Sequence, residues 1–126
     1  MLNLFKKKKP NIIMIMLDGC RIDALEKVPY FQELKKDSVF FSNLITYAPY
    51  TIGSVYSIFS GIIGNQNGVN GYYNIYSFDK EHCFVLTQYL KENGYYTETD
   101  SPQEIVIPPQ GFDKYRYHDE FNIDFL

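Results

Sequence analysis

The sequence has no tryptophan, only two cysteines and two histidines, and no apolar run long enough for a membrane span. Cys20 and Cys83 lack the spacing of a metal-binding pair, which favours a reduced compartment. The apolar run at residues 11–17 meets Asp18 too early for a signal core or a spanning helix. The net charge of −3 argues against a nucleic-acid-binding protein. We therefore expect a cytoplasmic protein that binds no nucleic acid and has no transmembrane segment.

The composition is sufficient for one small folded domain. The 126 residues are 45% hydrophobic, which supports a packed core rather than a disordered chain. The 12 tyrosines and 10 phenylalanines suit a core or a contact surface. Lysines at positions 6–9 form the one basic run. We therefore expect residues 1–10 to be a flexible basic N-terminus and the folded part to begin at residue 11.

A buried strand is predicted at residues 12–17, directly before an aspartate and a glycine. A short isoleucine-rich run bounded by a turn signal is typical of a parallel strand. Ligands of open α/β sheets bind beyond the carboxyl ends of the strands, where Asp18 falls. A carboxylate there is costly unless it meets a cation or a hydrogen-bond donor. Asp18 is therefore either a ligand of a bound cation or the cap of the following turn.

A helix is predicted at residues 51–60, with Thr51 at its start and Gly61 at its end. The apolar positions 52, 55, 56 and 59 lie on one face of such a helix. A threonine before this run is a natural N-cap, and a helix N-terminus also favours a bound anion. A hydroxyl there could attack a phosphate or sulfate ester if a metal lowered its pKa. Thr51 is therefore either a plain cap or a nucleophile.

Strands and helices alternate along the chain, which predicts an α/β fold with a partial parallel sheet flanked by helices. Strands are expected near residues 12–17, 39–45 and 95–99, and helices near residues 29–37, 51–60 and 83–93. Residues 64–71 are expected to form a loop, and residues 100–126 no clear element. A three-stranded sheet of this kind has an open edge, through which the chain could self-associate.

Seven segments follow one another in a recognisable order: the strand ending at Asp18, Pro29 to Leu34, Val39 to Asn43, the Thr51 helix ending at Gly61, Asn67-Gly68-Val69, the helix ending in Gly94-Tyr95, and Gly111-Phe112-Asp113. In this order they resemble the N-terminal part of the sulfatase and alkaline-phosphatase superfamily. The resemblance implies an alkaline-phosphatase-like, truncated fold, with residues 11–126 as the N-terminal part of a sulfatase-like domain.

The resemblance also implies a site and a chemistry. In that superfamily the aspartate after the first strand binds a metal, which makes Asp18 the expected metal ligand. The residue matching Thr51 is the nucleophile and a second metal ligand. The implied cofactor is a divalent ion (zinc, manganese, magnesium or calcium), and the implied substrate is a small sulfate or phosphate ester. Asp18 and Thr51 should then lie within roughly 5 Å of one another, close enough to share one ion.

Several residues depart from the sulfatase pattern. Sulfatases have a cysteine or serine where Thr51 stands, followed by a proline and an arginine that are here Gly53 and Val55. This context does not suit conversion to formylglycine and is closer to the phosphodiesterase and phosphotransferase branches, which often use an unmodified threonine. Some members place an asparagine three residues later to hold an ester oxygen, and here that residue is Ser54.

The later metal ligands of the superfamily are missing from the sequence. His82 and His118 are the histidines present, and we interpret both as surface residues. Asp18 and Thr51 alone cannot complete a divalent site, which needs four or more ligands. The chain is therefore expected to be the front portion of a longer enzyme, inactive by itself and not retaining its metal.

Two other functions remain open. In the first, the chain is a non-catalytic remnant or a protein-binding module, with Thr51 as a cap and Tyr72, Tyr73 and Tyr76 as a contact surface. In the second, it is a nucleotide-binding α/β domain. The sequence has no glycine-rich phosphate loop after the first strand, which the nucleotide-binding function would require.

Overall fold

The computed structural model describes residues 9–119, so most of the predicted flexible N-terminus lies outside the described residues. The chain divides into two units, Met1–Ser42 and Asn43–Leu126. The first contains α1 (Ile22–Leu25) and α2 (Pro29–Lys36). The second contains α3 (Thr51–Ser60), α4 (Gly64–Asn67), a 3₁₀ turn (Asn74–Ser77), α5 (Leu86–Glu92), β1 (Glu98–Ser101) and β2 (Lys114–Tyr117). Among residues 9–119, no helix has the length and apolar character needed to cross a bilayer.

Helix α2 confirms the helix predicted at residues 29–37. Pro29 occupies its first turn, where the missing N–H costs nothing. Phe31 projects from the helix toward Phe40, with the two rings edge to face and their centroids 6.1 Å apart. The Lys35 ammonium lies 4.0 Å from the centroid of the Phe40 ring, a cation–π distance. These contacts hold the chain after α2 against the helix.

The strands predicted at residues 12–17 and 39–45 are not strands in the structure; both segments are irregular. Their apolar side chains are exposed, for example Ile13 (83%), Ile15 (78%) and Phe41 (72%). The prediction was wrong because a parallel strand needs a neighbouring strand to receive its backbone hydrogen bonds. The described residues provide no such neighbour for either segment. The apolar pattern of a buried strand is present without the sheet that would bury it.

The core of the second unit is built around α3. Its predicted apolar face is confirmed, because Ile52, Val55, Tyr56 and Phe59 are all buried. This face packs with the other buried residues of the core: Val69, Ile75, Phe78, Cys83 and Val85. The Tyr56 ring meets the Phe78 ring edge to face at 4.8 Å. The helix stops at Gly61, whose φ of 68° is the left-handed conformation that glycine adopts readily.

A two-stranded parallel sheet confirms the α/β class of the fold. Strand β1 pairs with β2 in a register that places Asp100 opposite Arg116. The Arg116 guanidinium lies 3.3 Å from the Glu98 carboxylate, and the His118 ring lies 2.9 Å from Asp100 Oδ1, so side-chain contacts join the two strands. The strand expected at 95–99 begins at Glu98, and β2 lies where no element was expected. Strand β2 has four residues, which are too few for a clear alternating pattern.

Two other boundaries differ from the sequence prediction. The expected loop at 64–71 begins with α4, because the buried side chain of Asn67 supplies hydrogen bonds that fix one helical turn. The helix expected at 83–93 begins at Leu86. There the side-chain oxygen of Gln88 accepts the Val85 N–H at 3.0 Å and marks the helix start.

Asp113 links α5 to the sheet. Its Oδ1 lies 2.7 Å from the Lys91 ammonium, and its Oδ2 accepts the Thr97 N–H at 2.9 Å. Two hydrogen bonds hold the pKa of the Asp113 carboxyl below its usual value. The bond from Lys91 has the larger effect, and the bond from the Thr97 N–H has the smaller one. Asp113 is therefore a structural residue that joins the helix end to the two strands.

This linkage predicts a pH dependence of stability. A carboxyl whose pKa is lower in the folded state contributes its full stabilisation above the unfolded pKa of about 4 and loses it as the pH falls further. We expect the free energy of unfolding to fall on acidification below about pH 4 less steeply in Asp113→Asn than in the wild type. At neutral pH the variant should be the less stable of the two.

Urea unfolding followed by circular dichroism at a series of pH values measures this slope. Glu92→Gln removes one carboxylate from the exposed end of α5 and is the control for the change in charge. Equal acid slopes in the wild type and Asp113→Asn would contradict the role given to Asp113.

Candidate functional site

Thr51 is the first residue of α3 rather than its cap. The N-cap is Tyr50, in an extended conformation with φ −143° and ψ 151°, and its carbonyl accepts the Ser54 N–H at 3.3 Å. The N-cap assignment of Thr51 was therefore off by one residue. The Thr51 side chain is half-buried, at the positive end of the helix dipole. A helix whose apolar face is anchored in the core thus carries Thr51 in its first turn.

Three hydroxyl and carbonyl groups brace the loop that precedes Thr51. The Ser54 hydroxyl donates to the Ala48 carbonyl at 2.8 Å. The Thr46 hydroxyl lies 2.6 Å from the Ser54 oxygen, which can accept its proton. Ser54 stands where some superfamily members hold an ester oxygen with an asparagine, but its own proton is used by Ala48. Its observed contacts hold the loop, and no sequence pattern indicated the part played by Thr46.

Gly53 allows the residues before Thr51 to lie close to the helix. A Cβ at position 53 would be 2.5 Å from Tyr50 Cε2 and 2.9 Å from the Ala48 Cβ. Such contacts are closer than real side-chain carbons permit. Gly53 stands where the sulfatase pattern has a proline, and it makes room for the Tyr50 ring over the first turn of α3.

Asn67, which the resemblance to sulfatases places where those enzymes often carry a histidine, is fully buried. Its amide nitrogen donates to the Ile62 carbonyl at 2.9 Å, and its side-chain oxygen accepts the Val69 N–H at 2.9 Å. Both ends of the amide are thus satisfied inside the protein. Asn67 connects the segment after α3 to Val69 and acts as a structural residue in the described part of the chain.

Asp18 lies in an exposed turn. Gly19 has a φ of 65°, and its N–H donates to Asp18 Oδ1 at 3.0 Å. This is the turn-capping contact that was one of the two interpretations of Asp18. Asp18 belongs to the first unit and Thr51 to the second. That the side-chain oxygens of Asp18 and Thr51 lie within roughly 5 Å of one another stays a prediction.

Both histidines are exposed, as predicted, and each pairs with an aspartate. The His82 ring lies 2.9 Å from Asp79, a hydrogen bond that lowers the pKa of the Asp79 carboxyl. The His118 ring lies 2.9 Å from Asp100. Within residues 9–119, no group of three or more histidine, cysteine, aspartate or glutamate side chains could hold a metal ion.

The described donor set therefore does not fit a complete divalent site. Such a site needs four or more ligands, usually several carboxylates or imidazoles. Even with both carboxylate oxygens bound, the side chains of Asp18 and Thr51 can supply three oxygen donors at most. No step of a reaction can be assigned to a metal held by these residues alone.

The fold and the residues around Thr51 describe an α/β protein in which a core-anchored helix presents a threonine at its N-terminus. A family model described as Sulfatase matches residues 10–125. Because this match covers nearly the whole chain, the chain belongs to the sulfatase family, and the resemblance inferred from the sequence is confirmed. A search of curated proteins and a search of solved structures give no match.

Proposed function

We propose that this chain is the N-terminal segment of a metal-dependent, sulfatase-like hydrolase that acts on sulfate or phosphate esters. Thr51 is the nucleophile, and Asp18 and Thr51 are two ligands of the divalent ion, which is zinc, manganese, magnesium or calcium. The single observation that carries the proposal is the position of Thr51 in the first turn of a core-anchored helix. The family match supports the class of enzyme.

The surroundings of Thr51 suit attack on an anionic ester. The N-terminal end of α3 carries partial positive charge, which favours the oxygens of a sulfate or phosphate group. The bonds of Thr46 and Ser54 to the loop fix the backbone that leads into Thr51, and this reduces the reorganisation needed to present its hydroxyl. When bound, a divalent ion would supply charge neutralisation and activate a hydroxyl.

The remaining metal ligands have to come from outside the described residues. Without them, Thr51 keeps the high pKa of an alcohol and is a poor nucleophile at neutral pH. We therefore propose that the 126-residue chain is inactive by itself and binds divalent ions weakly. The two cysteines are free thiols, which supports a cytoplasmic location.

The test is an assay of the purified chain with aryl sulfates and with phosphate diesters, adding zinc, manganese, magnesium and calcium in turn. We expect turnover no greater than in the Thr51→Ala control, and metal affinities well below those of a complete site. Metal-dependent turnover that disappears in the control would show that the chain, alone or as a dimer, completes its own site. That result would end the proposal of inactivity while supporting Thr51 as the nucleophile.

The second candidate function is a non-catalytic protein-binding module. It is favoured by one observation, the exposure of Tyr73 and Tyr76, each 87% accessible to solvent. Self-association is a related proposal, because residues 12–17 expose apolar side chains that a second copy could cover.

A further inference from the structure

A row of three tyrosine rings begins beside the first turn of α3. The Tyr50 ring lies over Gly53 and meets the Tyr72 ring, with centroids 5.9 Å apart and planes inclined at 62°. Tyr72 in turn meets Tyr73 at 5.1 Å and 77°. Tyr50 directly precedes Thr51 in the chain. The tyrosine row (Tyr50, Tyr72 and Tyr73) therefore leads from the turn that carries the candidate nucleophile to the surface.

The tyrosine row is held in place from both ends. The Tyr50 hydroxyl donates to the Val69 carbonyl at 3.4 Å, a long bond that ties the ring to the core. Beyond the row, the Asn74 N–H donates to the Gly71 carbonyl at 3.0 Å, and the Asn74 amide donates to Asn70 at 2.7 Å. These two bonds close a tight turn around Tyr72 and Tyr73. The backbone that carries Tyr72 and Tyr73 is thus held in one turn before any ligand arrives, which lowers the entropy cost of binding.

Most of the area of the outer rings remains open. Tyr72 is 59% exposed and Tyr73 is 87% exposed, although both are large aromatic side chains. An edge-to-face contact covers one face of one ring and leaves the remaining electron-rich faces available to another ring. A flat ring that carries C–H groups can lie against such a face, whether it is an aryl ring or the apolar face of a pyranose.

We propose that the tyrosine row is the subsite for the leaving group, and that it selects esters whose leaving group is a ring. This inference rests on the proposed function, because it takes the ester group to be at Thr51. The ring would lie against Tyr72 and Tyr73 while the sulfate or phosphate group is directed to the first turn of α3. Tyr73 is then a specificity-determining residue that takes no part in bond breaking.

Ligand-observed NMR on the full 126-residue chain can test the subsite without any turnover. The probes are phenyl sulfate, a methyl pyranoside sulfate and methyl sulfate, which share an anionic group and differ in the ring. We expect both ring-bearing probes, or one of them, to bind more tightly than methyl sulfate. The comparison between the phenyl and pyranoside probes identifies the kind of ring. The loss of a single aromatic contact in Tyr73→Ala should weaken ring binding roughly 3- to 10-fold.

Two matched variants serve as controls for the Tyr73→Ala result. Tyr76→Ala removes a tyrosine of the same 87% exposure that lies outside the row, and ring binding should be unchanged. Tyr73→Phe keeps the ring and should restore the affinity lost in Tyr73→Ala. Equal binding of all three probes, no detectable binding, or equal losses in Tyr73→Ala and Tyr76→Ala would overturn the subsite. These last two outcomes would leave the tyrosines as a surface for a protein partner.

Failure of this inference is distinguishable from failure of the proposed function. A chain that does not discriminate rings leaves the role of Thr51 intact. Conversely, an ester-cleaving form of the enzyme that keeps its turnover in Thr51→Ala would refute the nucleophile, whatever the NMR titrations show.

Discussion

Replacing Thr51 with alanine in an ester-cleaving form of the enzyme should lower kcat by about 10⁴-fold or more, the scale of loss when an enzyme's nucleophile is removed. Alanine retains the helix but has no oxygen to form the covalent intermediate. Because substrate contacts away from Thr51 remain, KM should change far less than kcat. Steady-state assays with the completed metal site, supplied by whichever chain carries the other ligands, measure both constants.

The same helix provides a matched control for this experiment. The Ser57 hydroxyl is buried and finds no hydrogen-bond partner among residues 9–119, so Ser57→Ala removes a hydroxyl from α3 with little structural cost. We expect Ser57→Ala to retain activity, and Thr51→Ser to retain more than Thr51→Ala because it keeps a hydroxyl at the same place. Comparable turnover in Thr51→Ala and Ser57→Ala would remove Thr51 from the chemistry.

The second large effect is expected on stability, from Gly68→Ala. Gly68 has a φ of 90°, and a Cβ there would overlap the Ser77 carbonyl oxygen. Its two neighbours, Asn67 and Val69, are fully buried, so the backbone has little room to move away. We expect a loss of about 3 kcal/mol or more in the free energy of unfolding, from the left-handed backbone and the clash together.

Gly61→Ala separates these two causes. Gly61 also has a positive φ, 68°, but nothing lies within 4 Å of the position its Cβ would take. Only the backbone penalty of about 1 kcal/mol should be measured there. Urea denaturation of the two variants gives the comparison. If both lose the same free energy, the packing of Ser77 against position 68 is not as tight as the structure indicates.

Local patterns predicted local structure well in this protein. The periodic apolar face of α3, the helix near residues 29–37 and the glycine after α3 each depend on residues close together in the sequence, and all three predictions are confirmed. The strands were predicted less well, because a strand depends on a partner that its own sequence does not specify. Residues 12–17 have the composition of a strand but no neighbouring strand to pair with in the described part of the chain. Strand β2 has a partner, but its sequence has no clear strand pattern.

The same contrast, between what a local sequence pattern indicates and what depends on contacts, applies to the residues of the candidate site. Thr51 and Asp18 were predicted as site residues because they stand at the ends of recognisable segments in a familiar order, and their roles stay a prediction. The roles of Thr46, Ser54 and Asn67 depend on side-chain contacts with groups of residues two to eight positions away. Any serine, threonine or asparagine can make such bonds in many geometries, so the sequence alone does not predict which of them occur.

The exposed apolar residues 12–17 also affect how the protein is handled after synthesis. The second unit closes its core with its own residues, but these side chains have no cover among the described residues. They leave the ribosome before α3 does, and unpaired apolar segments are the ones that holding chaperones engage and that initiate aggregation. We therefore expect changes in this segment to alter mainly the yield of protein from an expression host, and changes in the core around α3 to alter mainly the melting temperature.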